Sequence, residues 1–284
     1  MSALVLILRD ALPALYAGLV FYFGRTFFRP VDTARRLKYG LPAAYVVIAI
    51  HALYIGAYTA TEHHELLATI YELMSLIAFT LLAVYVFAEL RLSRETSGTG
   101  FFVTAVAFLL QLASSLTIGS ESVPELKPLL KNPIFNLHVT TSVFGYAALI
   151  LAAIYGSLYL LLDRALRRNE YGALFEHIPS LSRLERYGTR ATAAGFIFLT
   201  LAIVLGGILL REFPPVASSG ALLLDPKVLM TLLVWLVFGV TLLIRQFAHV
   251  EGRRLVLFWM SGFALTVISM TIINTIGTNF HSFL

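Results

Sequence analysis

The sequence predicts an all-α polytopic membrane protein with eight transmembrane helices and both termini extracytoplasmic. Three observations carry that expectation. The 284 residues are 58% hydrophobic and only 13% charged, with a mean hydropathy of +0.83, far from the mix of a water-soluble domain. Eight apolar segments recur along the chain, each long enough to cross a bilayer as a helix. The basic residues fall in alternate loops between those segments, which is the pattern that orients helices in a membrane.

The segments lie at about 3–23, 40–60, 66–90, 100–119, 135–162, 190–210, 226–244 and 255–276, forming a single transmembrane domain over 1–284. The first has no basic stretch before it and no small-residue cleavage pattern, so it is expected to be a retained helix. The fifth organises the rest. From Val139 to Leu162 it is almost unbroken and apolar, and as a helix it reaches roughly 36 Å against the roughly 30 Å of a hydrocarbon core. Asn132, Pro133 and Asn136 mark one water boundary, and Asp163 with Arg164 marks the other.

Of the 21 Lys and Arg, five fall in the first connection, two in the third, six in the fifth and three in the seventh, so sixteen share one side. Lys127, Lys131, Arg211 and Lys227 fall on the other, and Arg9 lies inside the first helix. The formal charge of +5 is therefore a topology signal and gives no reason to expect nucleic acid. The fifth connection, Asp163–Tyr187, is the one long cytoplasmic segment, expected to lie at the interface as one or two short helices broken at Pro179.

With no cysteine in the chain, disulfide chemistry and thiolate ligation are excluded, and a cofactor would be held by His, Met, Tyr or carboxylates. Seven histidines sort by topology. His63, His64, His138 and His281 fall at the outer rim, His51 lies midway along the second helix, and His177 and His249 face the cytoplasm. Two imidazoles on separate helix ends of one side are what axial ligation of a haem iron needs, because the nitrogens approach opposite faces of one porphyrin. Spacing alone leaves a second reading open, in which rim histidines simply occupy the headgroup zone. His51 either hydrogen-bonds a neighbouring hydroxyl, such as a tyrosine, or ligates a metal. No HExxH arrangement is present, which argues against zinc. Glu72 in the third segment is an expensive side chain at depth; with Arg9 and Asp10 it can form a buried polar cluster, or Arg9 and Asp10 can snorkel. Asp225 and Pro226 read as a helix start, which presents Lys227 at the outer surface to an anionic lipid or a haem propionate. Trp235, two turns deeper, reads as packing.

The stretch HVTTSVFGYAALILAAIYGSLYLL from His138 resembles the signature helix of the cytochrome c assembly protein family, which includes CcsA, CcmC and the HemX and YpjD proteins. So do DPKVLMTLLVWLVFG, the EGRR loop after it and the closing NTIGTNFHSFL, while PSLSRLERYGTRATAAGF resembles the HemX/YpjD branch. The resemblance implies haem handling. Two outer-rim histidines that ligate haem in the family match His138 and His281, and an inner-site histidine matches His51. It implies haem b as cofactor and His138 and His281 as axial ligands of the iron; Lys227 and Arg9 stand beside them as candidate cofactor-binding residues. Two departures place the chain nearest the HemX/YpjD branch: Val216–Leu224 replaces the tryptophan-rich element, and Leu242 and Leu243 stand where a second helix-borne histidine is expected.

The function expected is that of a haem-binding protein of a bacterial inner (plasma) membrane, acting in cytochrome c assembly or haem transport as a carrier, chaperone or assembly factor rather than an enzyme. Its partners would be haem, membrane lipid and other cytochrome c assembly or haem-biosynthesis proteins. Two alternatives stand beside it. One is a membrane adaptor acting on a haem-biosynthetic or assembly partner through Arg164–Arg190. The other is a b-type electron carrier, ranked last because the paired histidine spacing of a two-haem carrier is missing.

Overall fold

Hydrocarbon leaves backbone amides no partner but each other, so apolar runs of this length close into helices. The computed structural model describes residues 2–29, 33–62, 69–91, 97–117, 131–170, 172–212 and 226–276, and every regular element among them is helical. They are α1 (Ala3–Phe28), α2 (Thr33–Glu62), α3 (Ile70–Arg91), α4 (Gly100–Thr117, entered by a short 3-10 turn at Ser97–Thr99), α5 (Pro133–Arg167), α6 (Ala173–His177), α7 (Leu181–Glu212), α8 (Pro226–Ala248) and α9 (Gly252–Ile276). Among the described residues, seven helices are long and apolar enough to cross a membrane: α1 to α5, α7 and α8. The chain is a multi-pass membrane protein.

Several helices outrun their apolar segments. The second starts at Thr33, the sixth crossing at Leu181, and α5 runs on to Arg167. Hydropathy locates the part that partitions into lipid, whereas the helix continues until its hydrogen bonding or a proline stops it. Thus the Asp163–Tyr187 connection shrinks to a turn, the five-residue α6 and Pro179. The stretch expected to lie as a short interfacial helix after Pro179 is instead the first turns of α7. The α5 start agrees with the sequence boundary for an identifiable reason. Asn132 Oδ1 accepts the backbone N–H groups of Ile134 (2.8 Å) and Phe135 (3.2 Å), and Pro133 takes the first helical position, where its missing N–H is harmless.

The chain divides into two compact units. The first comprises Met1–Pro124 and Leu162–Ser180. Within it α4 packs on both α1 and α3, and α2 packs on α1 and α3. The Arg25 end of α1 carries an aromatic cluster in which Phe27 stacks on Phe101 and meets the His177 ring of α6 at 5.7 Å between centroids.

The second unit comprises Glu125–Leu161 and Leu181–Leu284. There α8 and α9 form an antiparallel hairpin through His249–Glu251, with His249 at φ +50° and the Gly252 N–H donating to Glu185 Oε2 on α7 (3.0 Å). The N-terminal half of α5 lies against α7 in a tight antiparallel seam. A Cβ placed on Gly195 would sit 2.6 Å from Leu149 Cδ2 and 3.3 Å from the Gly145 carbonyl, so glycine is what lets these backbones approach. In lipid, helix association relies on such packing and on interhelical hydrogen bonds, because burial of apolar surface gives little advantage there. We expect Gly195→Leu to lower the thermal unfolding midpoint in detergent clearly, while Gly18→Ala, which meets nothing within 4 Å, leaves it within error. Equal midpoints for the two variants would refute the seam.

Candidate functional site

The two helix-borne histidines are held in different ways. His51, fully buried on α2, uses both ring nitrogens: Nδ1 lies 3.0 Å from Tyr16 Oη of α1, and Nε2 lies 3.0 Å from Ser75 Oγ of α3. The bonds continue from Ser75 Oγ to Gln111 Oε1 (2.9 Å), from Gln111 Nε2 to Ser115 Oγ (3.0 Å) and from Ser115 Oγ to the Arg9 carbonyl (3.0 Å). Helices α1, α2, α3 and α4 all contribute.

That last carbonyl fixes the direction of the whole chain, because it can only accept. Ser115 must donate to it and so accept from the Gln111 amide nitrogen, which turns Oε1 toward Ser75. Ser75 then spends its single proton on Gln111 and accepts from His51 Nε2–H. The neutral ring is therefore the Nε2–H tautomer, and Tyr16 donates its phenolic proton to Nδ1. Of the two sequence readings for His51, the hydroxyl partner is the one realised in this structure.

Glu72 is less costly than the sequence implied. The third helix begins at Ile70, so Glu72 stands in the first turn, where the helix dipole favours a carboxylate. Thr69 Oγ1 accepts the Glu72 N–H (3.2 Å), and Tyr58 Oη donates to Glu72 Oε1 at 2.7 Å. Arg9 pairs with Asp10 at 2.8 Å, its side chain partly exposed.

His138, in the second turn of α5, uses one nitrogen. Nδ1 lies 2.7 Å from the Ala202 carbonyl of α7, which can only accept, so Nδ1 carries the proton and donates. Nε2 keeps its lone pair, and no described residue hydrogen-bonds it. Thr141 and Ser142 both donate to the His138 backbone carbonyl at 2.9 Å, so these two hydroxyls are turned onto the backbone and away from the ring. A half-buried imidazole with Nδ1–H tied to a carbonyl and a free Nε2 is the arrangement that suits metal ligation. The residues present thus fit a haem iron ligand at His138, and at His51 they do not unless a bond to Tyr16 or Ser75 is given up.

Of the other sequence-derived residues, His281, His63 and His64 lie outside the described residues, as does the side chain of Lys227, the second residue of α8. Among the described residues no three of His, Asp and Glu gather as a metal cluster. Trp235 packs as expected: it stacks on Phe196 at 5.3 Å between ring centroids and donates Nε1–H to Thr200 Oγ1 (2.8 Å). The partners that sequence reading missed are Tyr16, Ser75 and Gln111 around His51, and Ala202 beneath His138. A signal for the last was present in the stripe Gly188, Thr192, Gly195, Leu199, Ala202 and Gly206, which recurs at alternating steps of four and three.

Comparison with known proteins adds an independent line. The sequence pattern described as cytochrome C assembly protein matches residues 67–281. Protein HemX of Brevibacillus brevis is 26% identical over 232 residues, covering 80% of this chain and 80% of its own. The cytochrome c biogenesis protein CcsA of Trieres chinensis is 24% identical over 299 residues, covering 95% and 93%. CcsA of Chlamydomonas reinhardtii is 26% identical over 186 residues, 65% of this chain and 50% of its own.

The donor order around His51 makes a prediction of its own. Ser75→Ala strands two buried groups, the His51 Nε2–H and Gln111 Oε1, at about 1–3 kcal/mol each. Adding Gln111→Leu removes one of the two, so the double variant is expected to unfold at a higher temperature than Ser75→Ala alone. A double variant less stable than the single one would break the proposed chain.

Proposed function

Because the chain belongs to the cytochrome c assembly protein family, we propose that it binds haem at the extracytoplasmic rim of the membrane and acts in haem handling for cytochrome c biogenesis. His138 and His281 are the axial ligands in this reading. The observation that supports it is the bond from His138 Nδ1–H to the Ala202 carbonyl, which leaves Nε2 as a ligand. The proposal includes eight crossings, with α9 as the last, both termini outside the cytoplasm, and a bacterial inner membrane as the location; the alternation of basic loops and the bacterial HemX relative support these.

Haem b, when bound, supplies an iron that accepts two nitrogens and a porphyrin with two carboxylates. The roles of this chain's own residues follow from their chemistry. His138 binds through Nε2 while Ala202 holds its tautomer and ring plane. Lys227, at the start of α8, is the cation proposed for a propionate. Arg9, already engaged by Asp10, is the weaker candidate for an anionic group. His51 serves in this reading as a hydrogen-bonding hub of the first unit.

The test is a haem titration of the full chain purified in mild detergent. A Soret band with the sharp visible bands of a six-coordinate, bis-imidazole haem is expected, lost or shifted in His138→Ala and His281→Ala and unchanged in His249→Ala. The same spectrum in His138→Ala as in the parent protein would overturn the assignment.

A further inference from the structure

The surroundings of His138 on α7 name a second residue. In a helix the Ala202 carbonyl faces the N–H of Gly206, one turn on, so the ring of His138 lies over the turn from Ala202 to Gly206. A Cβ placed on Gly206 would stand 3.1 Å from His138 Cε1 and 3.3 Å from Nδ1, closer than side chains normally tolerate. At the neighbouring Gly207, a Cβ meets nothing within 4 Å. A side chain at 206 would therefore crowd the imidazole where it sits, and one at 207 would not.

The register of the two helices explains why this turn is the one that meets the ring. Gly195 faces Leu149 and the Gly145 carbonyl, Gly145 faces Leu199, and Gly206 faces His138, so each step toward the start of α5 is matched by an equal step toward the end of α7. The close approach at Gly145 and Gly195 brings His138, two turns away, within hydrogen-bond distance of backbone on α7. A carbonyl already used by its own helix can accept a second donor through its other lone pair. That donor has to come in over the turn, and a Cβ at 206 would push the ring back by a few tenths of an ångström.

We propose that Gly206 and the Ala202 carbonyl form a backbone seat that fixes the tautomer and plane of His138 and aims Nε2 outward, making Gly206 a positioning residue for the haem ligand. The proposal deepens the haem reading and rests on it for its purpose, but the seat itself is a property of the protein without haem. Outer-shell partners of metal-bound histidines contribute about 10–100-fold in metal affinity. Since alanine is the better helix former, Gly206→Ala is not expected to unfold α7.

The experiment compares the full-length protein with Gly206→Ala, Gly206→Val and Gly207→Ala in detergent, each labelled with 15N-histidine. Before haem is added, the His138 nitrogen shifts report which nitrogen is protonated. Expected are Nδ1–H in the parent protein and in Gly207→Ala, and loss of that pure tautomer in Gly206→Val, with Gly206→Ala between. Haem titration should then show about tenfold weaker binding or more for Gly206→Val and no change for Gly207→Ala. An Nε2–H tautomer in the parent protein, or Gly206 variants indistinguishable from Gly207→Ala in tautomer, would overturn the seat. If the tautomers behave as expected but His138→Ala binds haem as tightly as the parent protein, the seat stands and the haem assignment falls.

Discussion

A polar side chain inside a membrane bundle has no water to fall back on, so the hydrogen bonds it makes to neighbouring helices decide what chemistry it has left. The bond from His138 Nδ1 to the Ala202 carbonyl is the one on which this account depends. It consumes a proton that would otherwise move between two nitrogens, and it leaves the other nitrogen as a fixed lone pair. His51 shows the opposite outcome of the same constraint: both nitrogens are engaged, and the ring joins four helices. Identical residue types thus serve as candidate ligand and as structural hub, and the difference lies in which backbone or hydroxyl group their neighbours offer.

Backbone carbonyls do the deciding in both cases. The Arg9 carbonyl ends the chain through Ser115, Gln111 and Ser75 and so orients every proton back to Tyr16. The Ala202 carbonyl orients His138 directly. A carbonyl never donates, which makes it a dependable anchor in a low-dielectric interior where an ambiguous hydroxyl would permit two proton arrangements. Interhelical hydrogen bonds of this kind average about 0.6 kcal/mol in membrane bundles, so their larger contribution here is to specify orientation. Stability rests more on close packing, as where Gly156 and Gly188 leave space for the buried Trp259 ring.

Much of the fold was legible in sequence because partition into hydrocarbon is a property of composition. The apolar runs found the seven helices that are long and apolar enough to cross among the described residues, and Asn132 with Pro133 marked the start of α5 through cap chemistry that is local by nature. Helix ends at Thr33, Arg167 and Leu181 were missed because hydropathy falls off before hydrogen bonding does. Glu72 errs in the opposite direction: the apolar segment begins four residues before the helix does, so the carboxylate stands in the first turn and not within the helix. Residue chemistry left His51 either a hydroxyl or a metal, and the structure puts the hydroxyls of Tyr16 and Ser75 at its two nitrogens. What sequence could not give was the register of α5 against α7, since the pairing of His138 with Ala202 spans 64 residues and depends on the glycine contacts between them.

The central claim is that Nε2 of His138 is an iron ligand whose ring is oriented by α7. An experimental structure of the haem-loaded protein tests it most directly. The account predicts density for a porphyrin with its iron bonded to His138 Nε2 while Nδ1 remains on the Ala202 carbonyl. A porphyrin held by other side chains, with the His138 ring turned away from it, would contradict the account.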